Sequence, residues 1–207
     1  MTKHRNNKEK TILAAAKEEF LDKGFDGART TSIARNAGVT HAMLHYYFKT
    51  KEQLFVSIFE DLIGEVVEQL TVLLSEGNKP LVERLQDGLL LHFDFVTKNP
   101  RIPVFAIREI LSHPERLNLV KGKISPIIST LYITVDREIK EAQKRGEITA
   151  DIDAPRLLID MVSLNMFPLF VQPIFKEILG DEKGNLTKYL ETRRKETLET
   201  ITRRLKP

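Results

Sequence analysis

Residues 24–54, GFDGARTTSIARNAGVTHAMLHYYFKTKEQL, constrain the fold of this chain more than any other stretch. Two short helical segments flank Ala37-Gly38-Val39, an aromatic cluster follows, and Lys51 opens a longer apolar-periodic segment. Joints of about three residues leave little slack, so the segments before Lys51 predict a compact bundle of short helices.

The same period continues along the chain. Ile12, Leu13, Ala16, Phe20 and Leu21 follow helical spacing, and Gly24 supplies a left-handed stop. Thr30 or Thr31 is the expected cap of a second helix that buries Ile33, Ala34 and Ala37 and ends at Gly38. Thr40 caps a third, with Leu44 and Phe48 inward, and the fourth carries Leu54, Phe55, Ile58, Leu62, Val66, Val67 and Leu70. Ser75-Glu76-Gly77-Asn78-Lys79-Pro80 is a break. Further helices are expected at about 81–98, 102–112, 117–145 with Pro126 as a candidate split, from Ala154-Pro155 with Pro168 and Pro173 interrupting its far end, and 186–205. No strand alternation of useful length and no internal repeat is visible, so the fold class is all-α.

Composition narrows the function classes. With 42% hydrophobic and 29% charged residues the chain reads as an ordinary globular protein. No run of about 18 apolar residues is evident, so no membrane partner is expected. The polar start MTKHRNNKEK does not read as a secretory signal. The absence of cysteine excludes disulfides, thiol nucleophiles and thiolate metal sites, and fits a cytoplasmic location. Residues 1–54 hold ten Lys or Arg against six Asp or Glu, whereas the remaining residues hold 22 against 23. The positive excess therefore lies in the N-terminal quarter, where it suits a polyanion.

The third helix carries the chemistry. At 100° per residue, Leu44 and Phe48 fall on one side and Ala42 and Tyr46 on the other, flanked by His41, Met43 and His45. A small residue at the tip permits close approach to base edges, and His, Met and Thr can meet bases or thymine methyls. His45, Tyr46 and Tyr47 can hydrogen-bond phosphates. Lys51 and the free N–H groups at the start of its helix favour a phosphate oxygen, as do Thr30 and Thr31 at the second helix. His41 and His45 are also spaced as metal ligands, but no third ligand lies nearby and Ala42 fills the place of a general-base glutamate, so two groove-facing histidines are the stronger reading. His4, His92 and His113 join no nucleophilic set, no Gly-rich phosphate loop is present, and neither catalysis nor a cofactor is expected.

Residues 7–58 resemble the DNA-binding domain of TetR-family (tetracycline-repressor-like) transcriptional regulators. The resemblance rests on Gly24-Phe25, Thr30-Thr31, Ile33-Ala34, Ala37-Gly38-Val39-Thr40, Leu44, Tyr46, Phe48, Lys51-Glu52 and Leu54-Phe55. Ala42 stands where the family usually has glycine or another small residue, and His45 and Tyr47 exchange the aromatic types usual at those two places. The resemblance implies a helix-turn-helix DNA-binding domain at 1–52 and a helical ligand-binding and dimerisation domain at 53–207. It also implies pairing of the last two long helices with their twofold mates. Leu157, Leu158, Met161, Val162, Leu164 and Met166 are more apolar residues than one core stripe needs, which suits a homodimer face.

A small-molecule site is expected among the fourth to eighth helices, lined from His92, Phe93, Phe95, Phe105, Arg108, Tyr132, Asn165 and Phe167. For each of these, plain core packing is the competing role, and Arg108 has Glu109 beside it as an ion-pair partner. The expected function is a ligand-responsive repressor of double-stranded DNA, released by an apolar or amphipathic effector. The alternative is an architectural or protein-interaction factor that uses a helix-turn-helix without effector control.

Overall fold

The computed structural model describes residues 6–77, 79–179 and 183–207; His4 and Asn78 lie outside them. The described residues form helices α1 (Asn7–Gly27), α2 (Thr30–Asn36), α3 (His41–Tyr47), α4 (Lys51–Ser75), α5 (Leu81–Lys98), α6 (Arg101–Ser112), α7 (Pro114–Lys144), α8 (Ala154–Leu179) and α9 (Lys183–Leu205). The fold is all-α, as the sequence predicts.

Two compact units divide the chain. The first joins residues 1–65 to 101–127, and the second joins 66–100 to 128–207. The first unit thus takes in α6 and the start of α7 beside the N-terminal helices, a packing division that does not follow the expected boundary at 52/53.

In the first unit, Phe20, Phe25, Phe55, Phe59 and Phe105 form an aromatic core. Phe20 stacks on Phe25 at 5.9 Å, and Phe55 meets Phe25 edge-on at 5.0 Å. Phe59 lies 5.7 Å from Phe105 of α6. Ile12, Ala16, Ile33, Leu44 and Leu54 close the core around them. Gly24 interrupts α1 at φ 68°, and the helix then makes one more turn to Gly27. The backbone angle at Gly24 requires glycine, and a Cβ there would stand 2.9 Å from Glu109 Oε1 and displace that carboxylate.

In the second unit, α5 packs on α8 and α9. Leu81, Leu85, Leu89, Phe93 and Val96 form the buried stripe of α5, facing an interior that includes Leu157, Met161, Leu169, Ile201 and Leu205. Arg84, itself buried, donates to the carbonyls of Leu74 and Lys79 and pairs with Glu138 at 2.7 Å. The cation thereby satisfies the Leu74 carbonyl at the C-terminal end of α4, where the helix dipole favours it, and the Lys79 carbonyl just before α5.

Several expected boundaries are corrected. The N-cap of α2 is Arg29, with no side-chain capping bond, rather than Thr30 or Thr31. Pro126 does not split α7: it sits on the exposed side, while Val120, Ile124 and Leu131 stay buried on either side of it. Burial of both halves outweighs one lost helix hydrogen bond. Likewise α8 continues past Pro168 and Pro173 to Leu179. Within α8, Ala154–Val171 is long and apolar enough to cross a membrane by length and composition, with mean hydropathy 1.3, although it is not an unbroken apolar run. Arg156 and Asp160 interrupt that stretch, and Arg204 of α9 pairs with Asp160 at 2.9 Å.

Candidate nucleic-acid interface

The turn between α2 and α3 is set by backbone chemistry. The Gly38 N–H donates to Arg35 O at 3.1 Å and the Val39 N–H to Ala34 O at 3.0 Å, the paired bonds of a Schellman stop. Gly38 takes φ 65°, with nothing within 4 Å of a Cβ, so its backbone angle alone calls for glycine. Two residues later Thr40 accepts the Met43 N–H at 3.1 Å and starts α3. A stop and a start this close fix the angle between the two helices.

The orientation of α3 follows from burial. Leu44 and Phe48 are buried, while His41, Ala42, Met43 and Tyr46 are exposed, Tyr46 at 73%. The exposed side is small at Ala42 and polar around it, a surface able to approach base edges. His41 Nε2 lies 3.0 Å from Thr30 Oγ1, so the threonine expected at a phosphate also contacts the recognition helix. His41 and His45 meet edge-on at 4.4 Å. His45 Nδ1 lies 3.3 Å from the Lys49 carbonyl, which can only accept, so Nδ1 carries the proton and Nε2 is left for solvent or a ligand. Tyr46 and Tyr47 pack edge-on at 5.3 Å, with Lys49 Nζ 5.5 Å from the Tyr46 ring centre. The Tyr47 hydroxyl accepts from Asn6 Nδ2 at 2.9 Å, and Asn6 Oδ1 in turn caps α1 by accepting the Glu9 N–H. Thr31 is exposed. Among the described residues, no group of three His, Asp or Glu could hold a metal.

The start of α4 is equally organised. Thr50 Oγ1 accepts the Gln53 N–H at 3.1 Å, and Gln53 Oε1 accepts the Lys49 N–H at 3.0 Å, a variant of the reciprocal capping box. Lys51 Nζ lies 4.7 Å from the Phe25 ring centre and donates to Asp26 O at 3.3 Å. Partial burial holds its pKa below the usual lysine range. Behind it, Arg116 stands 4.7 Å from the same ring and bridges the buried Glu109 to Asp26. The Arg116 guanidinium holds the Asp26 carboxyl below its ordinary pKa. Sequence reasoning missed Thr50, Gln53 and the exposed Arg29 and Lys49. Thr50-x-x-Gln53 was a readable capping pattern, whereas the Glu109–Arg116–Asp26 chain joins residues too distant in sequence to be paired in advance.

The expected ligand-site residues separate. Phe105 fills the aromatic core of the first unit, and Arg108 is exposed there, 6.0 Å from the Phe105 ring centre and 3.5 Å from Glu109. In the second unit Phe93 is buried, Tyr132 is 38% exposed and Phe167 is 64% exposed. His92 and Asn165 are brought together, with Asn165 Nδ2 3.1 Å from His92 Nδ1. Burial pushes the His92 pKa down from 6.5 to about 4.

Residues 12–58 match the profile of bacterial regulatory proteins of the tetR family. The fatty acid metabolism regulator protein of Bacillus subtilis is 24% identical over 185 residues, 89% of this chain and 90% of the relative. The nucleoid occlusion factor SlmA of Sodalis glossinidius is 23% identical over 175 residues, 83% of this chain and 86% of the relative. Among solved structures, the fatty acid degradation regulator FadR from Bacillus halodurans superposes with TM-score 0.70 at 19% identity, covering 95% of this chain and 97% of its own. FadR from Bacillus subtilis in complex with stearoyl-CoA gives TM-score 0.70 at 20% identity, covering 95% and 98%. The fold is shared with both.

Proposed function

From a chain that belongs to the tetR family of bacterial regulatory proteins, we infer a repressor that binds a palindromic operator as a homodimer and leaves it when a small apolar or amphipathic effector binds. The observation that carries the reading is the outward face of α3, with Ala42 and Tyr46 exposed opposite buried Leu44 and Phe48. Two such helices, one per protomer and about 35 Å apart, would enter successive major grooves. Thr31, Thr40, His45, Tyr46 and Lys51, joined by Arg29 and Lys49, would position the complex on phosphates, while His41, Ala42 and Met43 would face bases. Tyr47 and Thr30 support the helix from behind through Asn6 and His41.

The dimer is supported by α8. Ile159, Val162, Phe167 and Ile174 are exposed on one side of it, while Leu157 and Met161 are buried on the other. A helix apolar on both sides needs a second partner, and a copy of itself gives a closed, isologous contact. The acyl chemistry in the names of the relative and of the stearoyl-CoA complex makes acyl-bearing compounds the first effectors to test. An effector releases DNA only by preferring the released state.

Gel-shift titration against the chain's own upstream DNA and a random duplex tests the reading. Selective binding there, relieved by an acyl-bearing compound, is the expected result. Equal affinity for both duplexes would favour an architectural role, the direction in which the nucleoid occlusion relatives point.

A further inference from the structure

The seam between α5 and α8 contains a polar pair with one buried acceptor left unsatisfied. Asn165, 1% exposed, donates from Nδ2 to the Leu89 carbonyl at 2.9 Å and lies 3.1 Å from His92 Nδ1. A carbonyl can only accept, so the Leu89 contact fixes which way the amide points. The second Nδ2 hydrogen then meets the Nδ1 lone pair, which places the His92 proton on Nε2. The remaining atom of the amide, Asn165 Oδ1, is buried with no donor. Leu85, Leu89 and Phe93 on α5 and Met161 and Leu169 on α8 are the buried apolar neighbours in sequence. A carbonyl oxygen left in such surroundings bears its full desolvation penalty until a donor arrives.

The pair therefore presents one acceptor, Asn165 Oδ1, and one donor, His92 Nε2–H, with no net charge. A carboxylate or phosphate would set its charge against the Oδ1 lone pairs with no cation supplied by the pair. An ester can accept from His92 but offers Asn165 nothing. We propose that Asn165 and His92 form a binding site for an uncharged group that both donates and accepts, an amide or a hydroxyl, carried on an otherwise apolar effector. The inference rests on the effector-responsive reading above and specifies its ligand.

Direct calorimetric titration of the full chain tests this with primary amides and alcohols from hexyl to octadecyl, each against the methyl ester of the same chain length. The amide or alcohol should bind about tenfold more tightly than its matched ester. In Asn165→Leu, which removes the polar atoms at similar volume, the preference should shrink to about twofold or less while ester binding persists. Should Asn165→Leu fail to fold, His92→Phe reads the same loss of preference. Equal binding of amide and ester, a preference that survives in either variant, or no binding by any member overturns the site. Parallel gel shifts keep the two readings apart. Esters that release DNA without any amide preference overturn the site and leave effector control standing, whereas preferred amides that bind without affecting DNA uphold the site and overturn effector control.

Discussion

Lys51 sets its ammonium 4.7 Å from the centre of the Phe25 ring and thereby holds a cation at the start of α4. The Asp26 carbonyl takes one of its hydrogens and the capping pair Thr50–Gln53 fixes the helix end around it. A phosphate arriving here would meet a charge already in position, so little side-chain entropy remains to be lost.

Lys51→Ala should weaken binding to operator and random duplex by the same factor. Each phosphate contact contributes about 0.9 to the slope of log affinity against log salt, so the slope should fall by about 1. Fluorescence anisotropy across a salt series reads both quantities, and an unchanged slope would remove Lys51 from the phosphate contacts.

Arg116→Met should destabilise the chain by about 3 kcal/mol, because it leaves the buried Glu109 with only the long 3.5 Å contact to the exposed Arg108. The double variant Arg116→Met, Glu109→Gln should recover much of that loss, since the uncompensated charge is then gone. Urea denaturation of the two variants measures the difference. Equal destabilisation would show that packing against Phe25, rather than charge, is the larger part of the Arg116 contribution.

His92 makes stability depend on pH. Its pKa is pushed from 6.5 to about 4 by burial, so between these values the unfolded chain binds the proton that the folded chain refuses. Stability should therefore rise with pH through this window and be lost, by up to a few kcal/mol, as pH falls from 6.5 towards 4. Denaturation curves of His92→Phe across the same range should lack that component of the slope.

Phe167→Asp, at an exposed position on α8, should shift the chain from dimer to monomer without loss of helix content. Sedimentation velocity and circular dichroism together check it. An unchanged sedimentation coefficient would place the interface elsewhere.

The readable and unreadable parts of this fold differ in where their partners lie. Gly38 and Thr40 announced their turn because both act on neighbouring backbone, and both perform the expected roles. Thr30 was misread as a cap because its hydroxyl is taken by His41, eleven residues away. Pro126, Pro168 and Pro173 looked like breaks, yet each lies inside a helix, and around Pro126 and Pro168 burial on the flanks outweighs the missing N–H. Arg108 drew attention as a polar residue in an apolar stretch, but the neighbouring Glu109 is the buried one, and its partner Arg116 starts a different helix. His92 and Asn165 were both legible as polar residues in apolar helices. Their hydrogen bond across 73 residues was not.

The most direct test of the central claim is the operator affinity of Ala42→Glu, measured by anisotropy beside its melting temperature. Ala42 is exposed at the tip of α3, so the substitution should leave folding within about 0.5 kcal/mol of the parent chain. If α3 enters the major groove, a carboxylate there meets base edges and phosphates at close range, and affinity should fall by about a hundredfold or more. Full affinity in a folded Ala42→Glu chain would mean that this helix does not read DNA.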